Sequence, residues 1–272
     1  MTETLTLANV HLLVTRPEAQ AVVWAEQLRV LGATVTVQPM MKIVPVDTDE
    51  AKQCIKNMVL NFAEYQKAIF VSQNAVNYGL QWLDQYWPQL PVDVEFFAIG
   101  TATASLLEEG IGQGALDAGY LSHSAYSAMN SEALLAHPRL QSVAGEKIVI
   151  FRGQGGRTVL ADQLHEKGAT VEYCELYRRE TTITEPQTLP VDYRCTSAQP
   201  ITVIHSGETL ENVCSMITPD DLLWLQKHPL LLPGERVAQL AKQAGFRRLI
   251  VAKNATHDSM IEALNEWQRY DK

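Results

Sequence analysis

The chain has 272 residues, of which 46% are hydrophobic, and a formal net charge of −9 at pH 7. This length predicts about two domains of ordinary size with packed cores. The acidic balance argues against broad nucleic-acid binding, and no apolar run approaches the ~18 residues that a membrane span requires.

The strand signals are short β-rich runs, and helical patterns fill the intervals between them. Trp24, Leu28 and Leu31, for example, recur at helical spacing after the first run. A strand, a tight turn and a helix in repeated succession predict a parallel α/β architecture. The predicted strands, in chain order, are "VHLLVT" (10–15), "TVTVQ" (34–38), "KAIFVS" (67–72), "VEFFAIG" (94–100), "KIVIF" (147–151), "ITVIHS" (201–206), "PLLLPG" (229–234) and "RLIVA" (248–252).

Cysteine, histidine and acidic residues give no sign of a metal or redox site. The four cysteines contain no C-x-x-C pair, which predicts reduced, mostly buried thiols in a cytoplasmic protein. The seven histidines lack ligand spacings such as H-E-x-x-H.

The N-terminal "MTETLTLANVHLL" has acids where a secretory signal has basic residues. The acidic pairs Glu108–Glu109 and Asp220–Asp221 are interpreted as solvated surface charges.

The two halves of the chain share an ordered set of motifs. The segment "GATV" occurs twice, each time beginning sixteen residues after an arginine that follows a predicted strand. A serine and then a glycine end later strands in both halves, so the order predicts two similar α/β domains. Because ligands bind at the carboxyl ends of strands in such sheets, we expect ligand contacts at these turns. The turns are those at Arg16, Ser72, Gly100, Arg152, Ser206 and Gly234.

The segment "IVIFRGQGGRTVL" (148–160) places an arginine and three glycines between a predicted strand and a helix. Exposed amides at such a helix start, together with Arg152 or Arg157, are typical of a site for a carboxylate or phosphate. The alternative is that Gly153, Gly155 and Gly156 only permit a tight turn. Ser72 and Ser206 likewise have an alternative as plain helix N-caps, and Arg16 as part of a strand-end salt bridge.

Several enzyme classes lack their sequence signatures. "GQGGRT" has Thr158 where a dinucleotide-binding turn has its third glycine, and it lacks the G-K-[ST] of a phosphate-binding P-loop. "HSG" around Ser206 lacks the G-x-S-x-G elbow of a hydrolase nucleophile. A sugar-nucleotide or NAD enzyme and a serine hydrolase are therefore disfavoured.

Five segments, taken in chain order, carry a family resemblance. They are "LLVTRPEAQAVVWAEQLRVLGATVTVQPMMKIVPV", "AIFVSQNAV", "FFAIGTATASLLEEGI", "IVIFRGQGGRTVLADQLHEKGATVEYCELYRRE" and "LLLPGERVAQLAKQAGFRRLIVAKNATHDSMIEAL". This ordered set resembles the uroporphyrinogen-III synthase family and covers nearly the whole chain.

The resemblance changes the expected domain organisation. A tandem repeat alone would divide the chain near residue 140. The family fold instead implies a discontinuous first domain, 1–38 with 178–272, and a second domain, 44–170. The segments 39–43 and 171–177 would be connector strands, with a cleft between two domains that move about a hinge.

The resemblance also implies a reaction. The family converts hydroxymethylbilane, a linear tetrapyrrole with eight carboxylates, into uroporphyrinogen III with loss of water and inversion of the last ring. No cofactor or metal is implied, because the substrate supplies its own leaving group and electron-rich pyrroles. Tyr177 matches the family's tyrosine after the second crossing strand and is the implied catalytic residue, since a phenol with a reference pKa of about 10 can donate to the leaving hydroxyl. Ordinary packing is the alternative for Tyr177, and Tyr173, four residues earlier on the same strand face, is the second candidate.

Hydroxyls, amides and cations at the turns are expected to bind the carboxylates of the substrate. The expected substrate-binding residues are Arg16, Ser72, Gln73, Asn74, Gly100, Thr101, Arg152, Gly153, Gly155, Gly156, Arg157, Ser206, Gly207, Gly234, Glu235 and Arg236. The resemblance further implies a cytoplasmic monomer, with transient contact to the preceding enzyme of the pathway and no nucleic-acid or membrane partner. The alternative function is a non-catalytic two-domain module that binds a tetrapyrrole or another small polyanion.

Overall fold

The computed structural model describes residues 7–112, 131–181 and 185–270. The first six residues, part of the N-terminal segment interpreted as lacking a secretory signal, lie outside them. The helices and strands in chain order are β1 (Val10–Val14), α1 (Glu18–Val30), β2 (Thr34–Val37), β3 (Lys42–Pro45), α2 (Asp49–Leu60), β4 (Lys67–Phe70), α3 (Gln73–Tyr86), β5 (Glu95–Ala98), α4 (Thr101–Ile111), α5 (Ser131–Leu135), β6 (Lys147–Gly153), α6 (Val159–Glu166), β7 (Thr170–Glu180), α7 (Val191–Arg194), β8 (Gln199–Val203), α8 (Gly207–Met216), α9 (Pro219–Leu225), β9 (Leu230–Leu232), α10 (Glu235–Gln243), β10 (Leu249–Val251) and α11 (His257–Tyr270), with 3-10 turns at Phe62–Glu64 and Pro138–Leu140.

Each of the eight predicted strands corresponds to an observed strand, and the chain forms two compact units. The terminal unit comprises Met1–Lys42 with Glu180–Lys272, and the central unit comprises Ile43–Arg179. Of the two segments expected to form a connector, 39–43 overlaps β3 only at Lys42 and Ile43, whereas 171–177 lies within β7. The strands β3 and β7 are neighbours in the sheet of the central unit.

The terminal unit contains a five-stranded sheet of order β10-β9-β8-β1-β2 whose neighbouring strands run parallel. Alternate residues of each strand point to opposite faces. Leu12 and Val14 therefore pack with helix α1 through Trp24 on one face, while Leu13 packs with Leu210 and others on the opposite face. Buried apolar side chains on both faces are typical of a parallel sheet covered by helices.

The central unit contains a five-stranded sheet of order β3-β7-β6-β4-β5, in which β7, β6, β4 and β5 run parallel. Phe70 and Phe151 pack on the face covered by α3, and Ile69 and Ile150 on the face covered by α6. The order β5-β4-β6-β7 repeats the order β9-β8-β1-β2 of the terminal unit. The α/β class and the internal repeat predicted from the sequence are confirmed.

The repeat extends to the positions that the sequence paired. Trp24 and Leu160 are both buried on the first helix of their repeats, and the glycines of the two "GATV" segments, Gly32 and Gly168, both have positive φ values, 95° and 87°. A left-handed residue after a helix favours glycine, because a Cβ atom is strained there. The same turn chemistry therefore ends both helices.

Two expectations about surface residues were wrong. Asp221 is buried and accepts hydrogen bonds from the Leu189 amide at 2.8 Å and from Arg194 Nε at 2.8 Å, so it anchors a loop instead of facing solvent. The cysteines are free, but Cys54 and Cys195 are exposed because one lies on the solvent side of α2 and the other follows α7. The periodicity of apolar residues in the sequence does not show the burial of Asp221 or the exposure of the two cysteines.

Within the described part of the chain, no helix has the length and apolar character needed to cross a bilayer.

Candidate functional site

A pocket of about 250 Å³ lies in the central unit, at the carboxyl ends of β4, β5 and β6. This is the edge at which parallel sheets bind ligands. We call it the Tyr177 pocket. It is lined by Val71, Ser72, Ile99, Ser131, Ile150, Arg152, Gly153, Gly155, Gly156, Arg157, Leu160, Tyr173, Tyr177 and Arg179.

Tyr177 reaches this pocket because the pairing of β7 with β6 is irregular. Arg152 pairs with Glu175, but the next residue, Gly153, pairs with Tyr177, so β7 has one extra residue. A bulge of this kind turns the following side chain to the other face of the strand, and bulges often occur beside active sites. Tyr177 consequently packs in the same cluster as Leu176.

The expectation that Tyr173 and Tyr177 share a strand face was wrong. Tyr173 packs beside Ile150 on the α6 side of the sheet, whereas Tyr177 packs beside Phe151 on the α3 side. A spacing of four residues gives a common face only in a regular strand. The two tyrosines therefore line the pocket from opposite faces of β7.

The Tyr177 ring is held on two sides. A Cβ atom at position 153 would lie 2.4 Å from Cε2 of Tyr177, so the ring occupies the space that a side chain would need. On its other side the ring stacks on Tyr78, with centroids 5.7 Å apart and an interplanar angle of 28°. Only 2% of Tyr177 is exposed. The pKa of the neighbouring Tyr78 is raised by burial and, to a smaller extent, by Tyr177. The phenol thus has a fixed orientation.

Ser72 is the N-cap of α3 and also contacts Tyr177. Its Oγ accepts a hydrogen bond from the Ala75 amide at 3.1 Å and lies 2.8 Å from the Tyr177 hydroxyl. The N-cap interpretation of Ser72 is therefore correct, and the serine has a second partner beyond its own helix. Gln73 and Asn74 form the start of α3 directly after it and are half-buried.

Arg152 supports the glycine loop from inside. Its Nε donates to the Gly153 carbonyl at 3.1 Å, Nη1 donates to the Arg157 carbonyl at 3.2 Å, and Nη2 donates to the Gly155 carbonyl. Its guanidinium also lies 4.4 Å from the centroid of the Tyr173 ring, and only 8% of the residue is exposed. Arg152 therefore fixes the conformation of the loop that was expected to bind an anion.

The loop itself presents exposed backbone at the start of α6. Gly155 and Gly156 have φ values of 71° and 90°, which favour glycine, and both are exposed together with Arg157. The Thr158 side chain does not cap α6. Because the first amides of a helix have no partner within the helix, this loop retains the donors and the partial positive charge suited to an anion.

Gly100 and Thr101 stand at the next strand end in the central unit. Gly100 is the N-cap of α4 with φ of 87°, and Thr101 is the first residue of that helix and is exposed. Ile99, directly before them, lines the Tyr177 pocket.

The remaining candidate residues belong to the terminal unit. Arg16 Nη1 donates to Nε2 of His257 at 3.0 Å, so this histidine accepts through that nitrogen. The Trp24 ring stacks on His257 and meets His205 edge-on, with centroids 5.2 Å and 4.9 Å apart. Arg16 therefore packs in a cluster of histidines.

The histidines of this cluster favour the neutral form. Burial lowers the pKa of His205 well below its usual value, and the nearby charges of Arg16 and His257 lower it further. Burial followed by the Arg16 charge lowers the pKa of His257, and burial lowers the pKa of Arg16. Both ring nitrogens of His205 are buried without a hydrogen-bond partner among the described residues.

Ser206 repeats the N-cap of Ser72 at the start of α8. Its Oγ accepts from the Thr209 amide at 3.1 Å, and its hydroxyl lies 2.9 Å from Thr209 Oγ1. Gly207 follows and is buried, and Gly234 is the N-cap of α10. Glu235 and Arg236 are exposed in the first turn of α10, where Glu235 lies 3.7 Å from Lys242.

Sequence reasoning missed several residues around Tyr177. Tyr78 stacks on the phenol, and Ser131 and Arg179 line the pocket. Arg179 follows Tyr177 by two residues, so strand periodicity could have indicated it. Tyr78 and Ser131 depend on tertiary packing, and no local signal identifies them.

Residues 7–112, 131–181 and 185–270 contain no group of three or more His, Cys, Asp or Glu side chains suited to holding a metal ion.

The fold and the turns define a class: a repeated parallel α/β protein with polar turns at the carboxyl ends of its strands. A family model described as uroporphyrinogen-III synthase HemD matches residues 22–262. The chain therefore belongs to the uroporphyrinogen-III synthase family.

Named relatives and a solved structure are similar to this chain. The uroporphyrinogen-III synthase of Escherichia coli (strain K12) is 31% identical over 261 residues, covering 93% of this chain and 99% of that protein. The synthase of Salmonella typhimurium (strain LT2) is 31% identical over 255 residues, with coverage of 93% and 99%. The crystal structure of uroporphyrinogen-III synthetase from Helicobacter pylori 26695 has a TM-score of 0.57 at 12% identity, covers 98% of this chain and 100% of that one, and supports the fold alone.

Proposed function

We propose that this chain cyclises hydroxymethylbilane to uroporphyrinogen III, inverting the last pyrrole ring and releasing water. The family match over residues 22–262 carries this proposal. The geometry that supports it is the fixed Tyr177 hydroxyl in a pocket beside exposed loop amides.

The substrate brings most of the chemistry. Its terminal hydroxyl leaves with help from the electrons of the adjacent pyrrole and gives an azafulvene. The electrophilic carbon attacks the substituted position of the last pyrrole, and the resulting spiro intermediate fragments and recloses with that ring inverted. The protein must assist departure of the hydroxyl and favour the inverted closure over the direct one, and held geometry can supply several kcal/mol for the second task.

We assign departure of the hydroxyl to Tyr177. Tyr177 lines the pocket, and its ring packs between Gly153 and Tyr78. A positioned proton donor typically accelerates a reaction by ~100- to 10,000-fold. The pocket, at about 250 Å³, is smaller than the ≈300–1,000 Å³ of typical small-molecule sites, so it holds only part of a tetrapyrrole.

We assign carboxylate binding to the turns at the strand ends. In the central unit these are the turns of Ser72, Gln73 and Asn74, of Gly100 and Thr101, and of Arg152 to Arg157. In the terminal unit they are the turns of Arg16, of Ser206 and Gly207, and of Gly234, Glu235 and Arg236. Backbone amides at helix starts suit carboxylates. We further propose two domains bounded near residues 38–44 and 170–178, and a cytoplasmic monomer that needs no cofactor and meets the preceding pathway enzyme transiently.

A product-isomer assay tests the function. Purified protein is mixed with freshly generated hydroxymethylbilane, the porphyrinogens are oxidised, and types I and III are separated by chromatography. We expect the enzyme to form type III. Uncatalysed closure gives type I, so the isomer distinguishes the two reactions. Formation of type I alone at the uncatalysed rate would contradict the proposed enzymatic function. A non-catalytic module that binds a polyanion would then be the better interpretation.

The same assay tests Tyr177 against a matched tyrosine. Tyr177→Phe is expected to lower the rate of type III formation about 100-fold. Tyr65 is also buried, but its hydroxyl donates to Glu172 at the opposite end of the sheet, so Tyr65→Phe should retain activity. If Tyr177→Phe is as active as Tyr65→Phe, Tyr177 has only a packing role.

A further inference from the structure

The Ser72 hydroxyl has two neighbours with different chemistry. A serine hydroxyl has one proton and two acceptor lone pairs. One lone pair accepts from the Ala75 amide at 3.1 Å, and the Tyr177 hydroxyl lies 2.8 Å away. Either hydroxyl can donate in the contact between serine and tyrosine.

The position of the Ser72 oxygen is set by the backbone. Ser72 has extended φ and ψ values of −166° and 163° and caps a helix of 14 residues, so its oxygen is tied to the first turn of α3. The phenol is equally fixed, because its ring lies against Gly153 and Tyr78. The 2.8 Å contact therefore joins two groups that the fold holds independently.

The direction of the proton between them decides what Tyr177 can do. If the tyrosine donates to Ser72, its proton is occupied and it offers only lone pairs to the pocket. If Ser72 donates to the tyrosine oxygen, the phenolic proton is free for a ligand. A leaving hydroxyl that binds in the pocket selects the second arrangement, because it accepts the phenolic proton.

We propose that Ser72 is a positioning residue that acts through Tyr177, by donating its proton to the phenolic oxygen while Tyr177 donates to the leaving hydroxyl of the substrate. This inference rests on the proposed function. The C–O bond breaks with its electron pair on oxygen, the phenolic proton completes a water molecule, and the pyrrole electrons form the new C=C bond. The phenolate accepts the Ser72 hydrogen bond and regains a proton when the attacked ring loses its own on closure.

The location of Ser72 favours this role. Negative charge that develops on the phenolic oxygen lies beside the N-terminus of α3, where the helix dipole stabilises an anion. Hydrogen bonds to a charged acceptor are roughly twice as strong as neutral ones. The serine therefore assists most in the transition state, which predicts an effect on kcat and little effect on KM.

The test uses variants at Ser72 with a cap control in the same unit. Ser72→Ala is expected to lower kcat for type III about 10-fold with KM within twofold, and Ser72→Thr, which keeps a capping hydroxyl, should restore most of the rate. Thr48 caps α2 by accepting from the Ala51 amide at 3.3 Å and lies outside the pocket lining. Thr48→Ala removes a cap from the same unit and should leave kcat unchanged.

A double variant separates positioning from structural damage. In a Tyr177→Phe background, Ser72→Ala should have no further effect on kcat, because the phenolic oxygen is already absent. Equal losses from Ser72→Ala in both backgrounds would overturn the positioning role, as would a wild-type kcat for Ser72→Ala. A wild-type protein that makes only type I would instead overturn the proposed function, so the two failures are distinguishable.

Discussion

Ser206 in the terminal unit and Ser72 in the central unit occupy matching turns and cap their helices at the same distance, 3.1 Å. Their second partners differ. The Ser206 hydroxyl contacts Thr209 in its own helix, whereas the Ser72 hydroxyl contacts Tyr177 on a different strand. A repeated fold thus repeats the backbone chemistry of a turn without repeating the contact that a reaction could use.

The matching arginines show the same divergence. Arg152 donates to three carbonyls of its own loop, and Arg16 donates to the ring of His257. Both arginines stand near the end of the first strand of their repeat, yet one fixes a loop and the other belongs to a histidine cluster. Equivalent positions in the two units therefore respond differently to the same substitution.

The largest effect is expected at Gly153, which has no glycine counterpart in the repeat. Gly153→Ala places a Cβ atom 2.4 Å from the Tyr177 ring, and overpacking of this kind costs about 3 kcal/mol at the upper end of its range. Urea unfolding measures the loss. In a Tyr177→Ala background the alanine at 153 should cost less than about 1 kcal/mol, and an unchanged cost there would show that the ring is not the obstacle.

The next effect compares the arginines. Arg152→Met removes donors from three loop carbonyls and should lower the free energy of unfolding by about 2 kcal/mol, since hydrogen bonds to charged groups are among the stronger ones. Arg16→Met should change it by less than about 0.5 kcal/mol, because burial already penalises the Arg16 charge. Equal losses in denaturant melts would remove the distinction between the two turns.

A smaller effect concerns pH and the terminal unit. The folded-state pKa of His205 lies below that of the unfolded chain, so the unfolded chain binds more protons between the two values. The contribution of His205 to the free energy of unfolding is therefore fully present above about pH 6.5. It is lost as the pH falls below that value, by about 1.4 kcal/mol for each unit of difference between the two pKa values. His205→Gln should flatten the change in urea midpoint between pH 7.5 and 5.5, and an unchanged slope would contradict this assignment.

The smallest effect should be shared by the two caps. Ser72→Ala and Ser206→Ala each remove one side-chain acceptor from a helix N-terminus, which costs about 1 kcal/mol. Thermal melts should show similar losses for both. A loss at Ser72 more than about 1 kcal/mol larger would indicate that its contact with Tyr177 also supports the fold.

Much of the fold could be predicted from the sequence because strands and helices have local signals. Each of the eight β-rich runs corresponds to an observed strand, and the "GATV" segments indicate the repeat. The irregular pairing at Tyr177 could not be predicted, because one extra residue in β7 depends on how β6 pairs beside it. The burial of Asp221 depends on Leu189 and Arg194, which are 32 and 27 residues away in sequence.

The candidate site was predictable in part for the same reason. The turns follow from strand ends, so the sequence indicates Ser72 and the glycine loop. The partners of those residues are set by tertiary contacts: the Arg152 guanidinium faces its own loop, and Tyr78 stacks on Tyr177. A sequence pattern identifies which residues reach an edge, and packing decides which groups they meet there.

The contact between Gly153 and Tyr177 also constrains how this chain can change over generations. A ring at 177 requires a bare backbone at 153, so a side chain gained at 153 is tolerated only after the ring has been lost. The two positions, 24 residues apart, are therefore coupled in sequence change. A side chain gained first at 153 destabilises the fold, and a ring lost first at 177 removes the phenol.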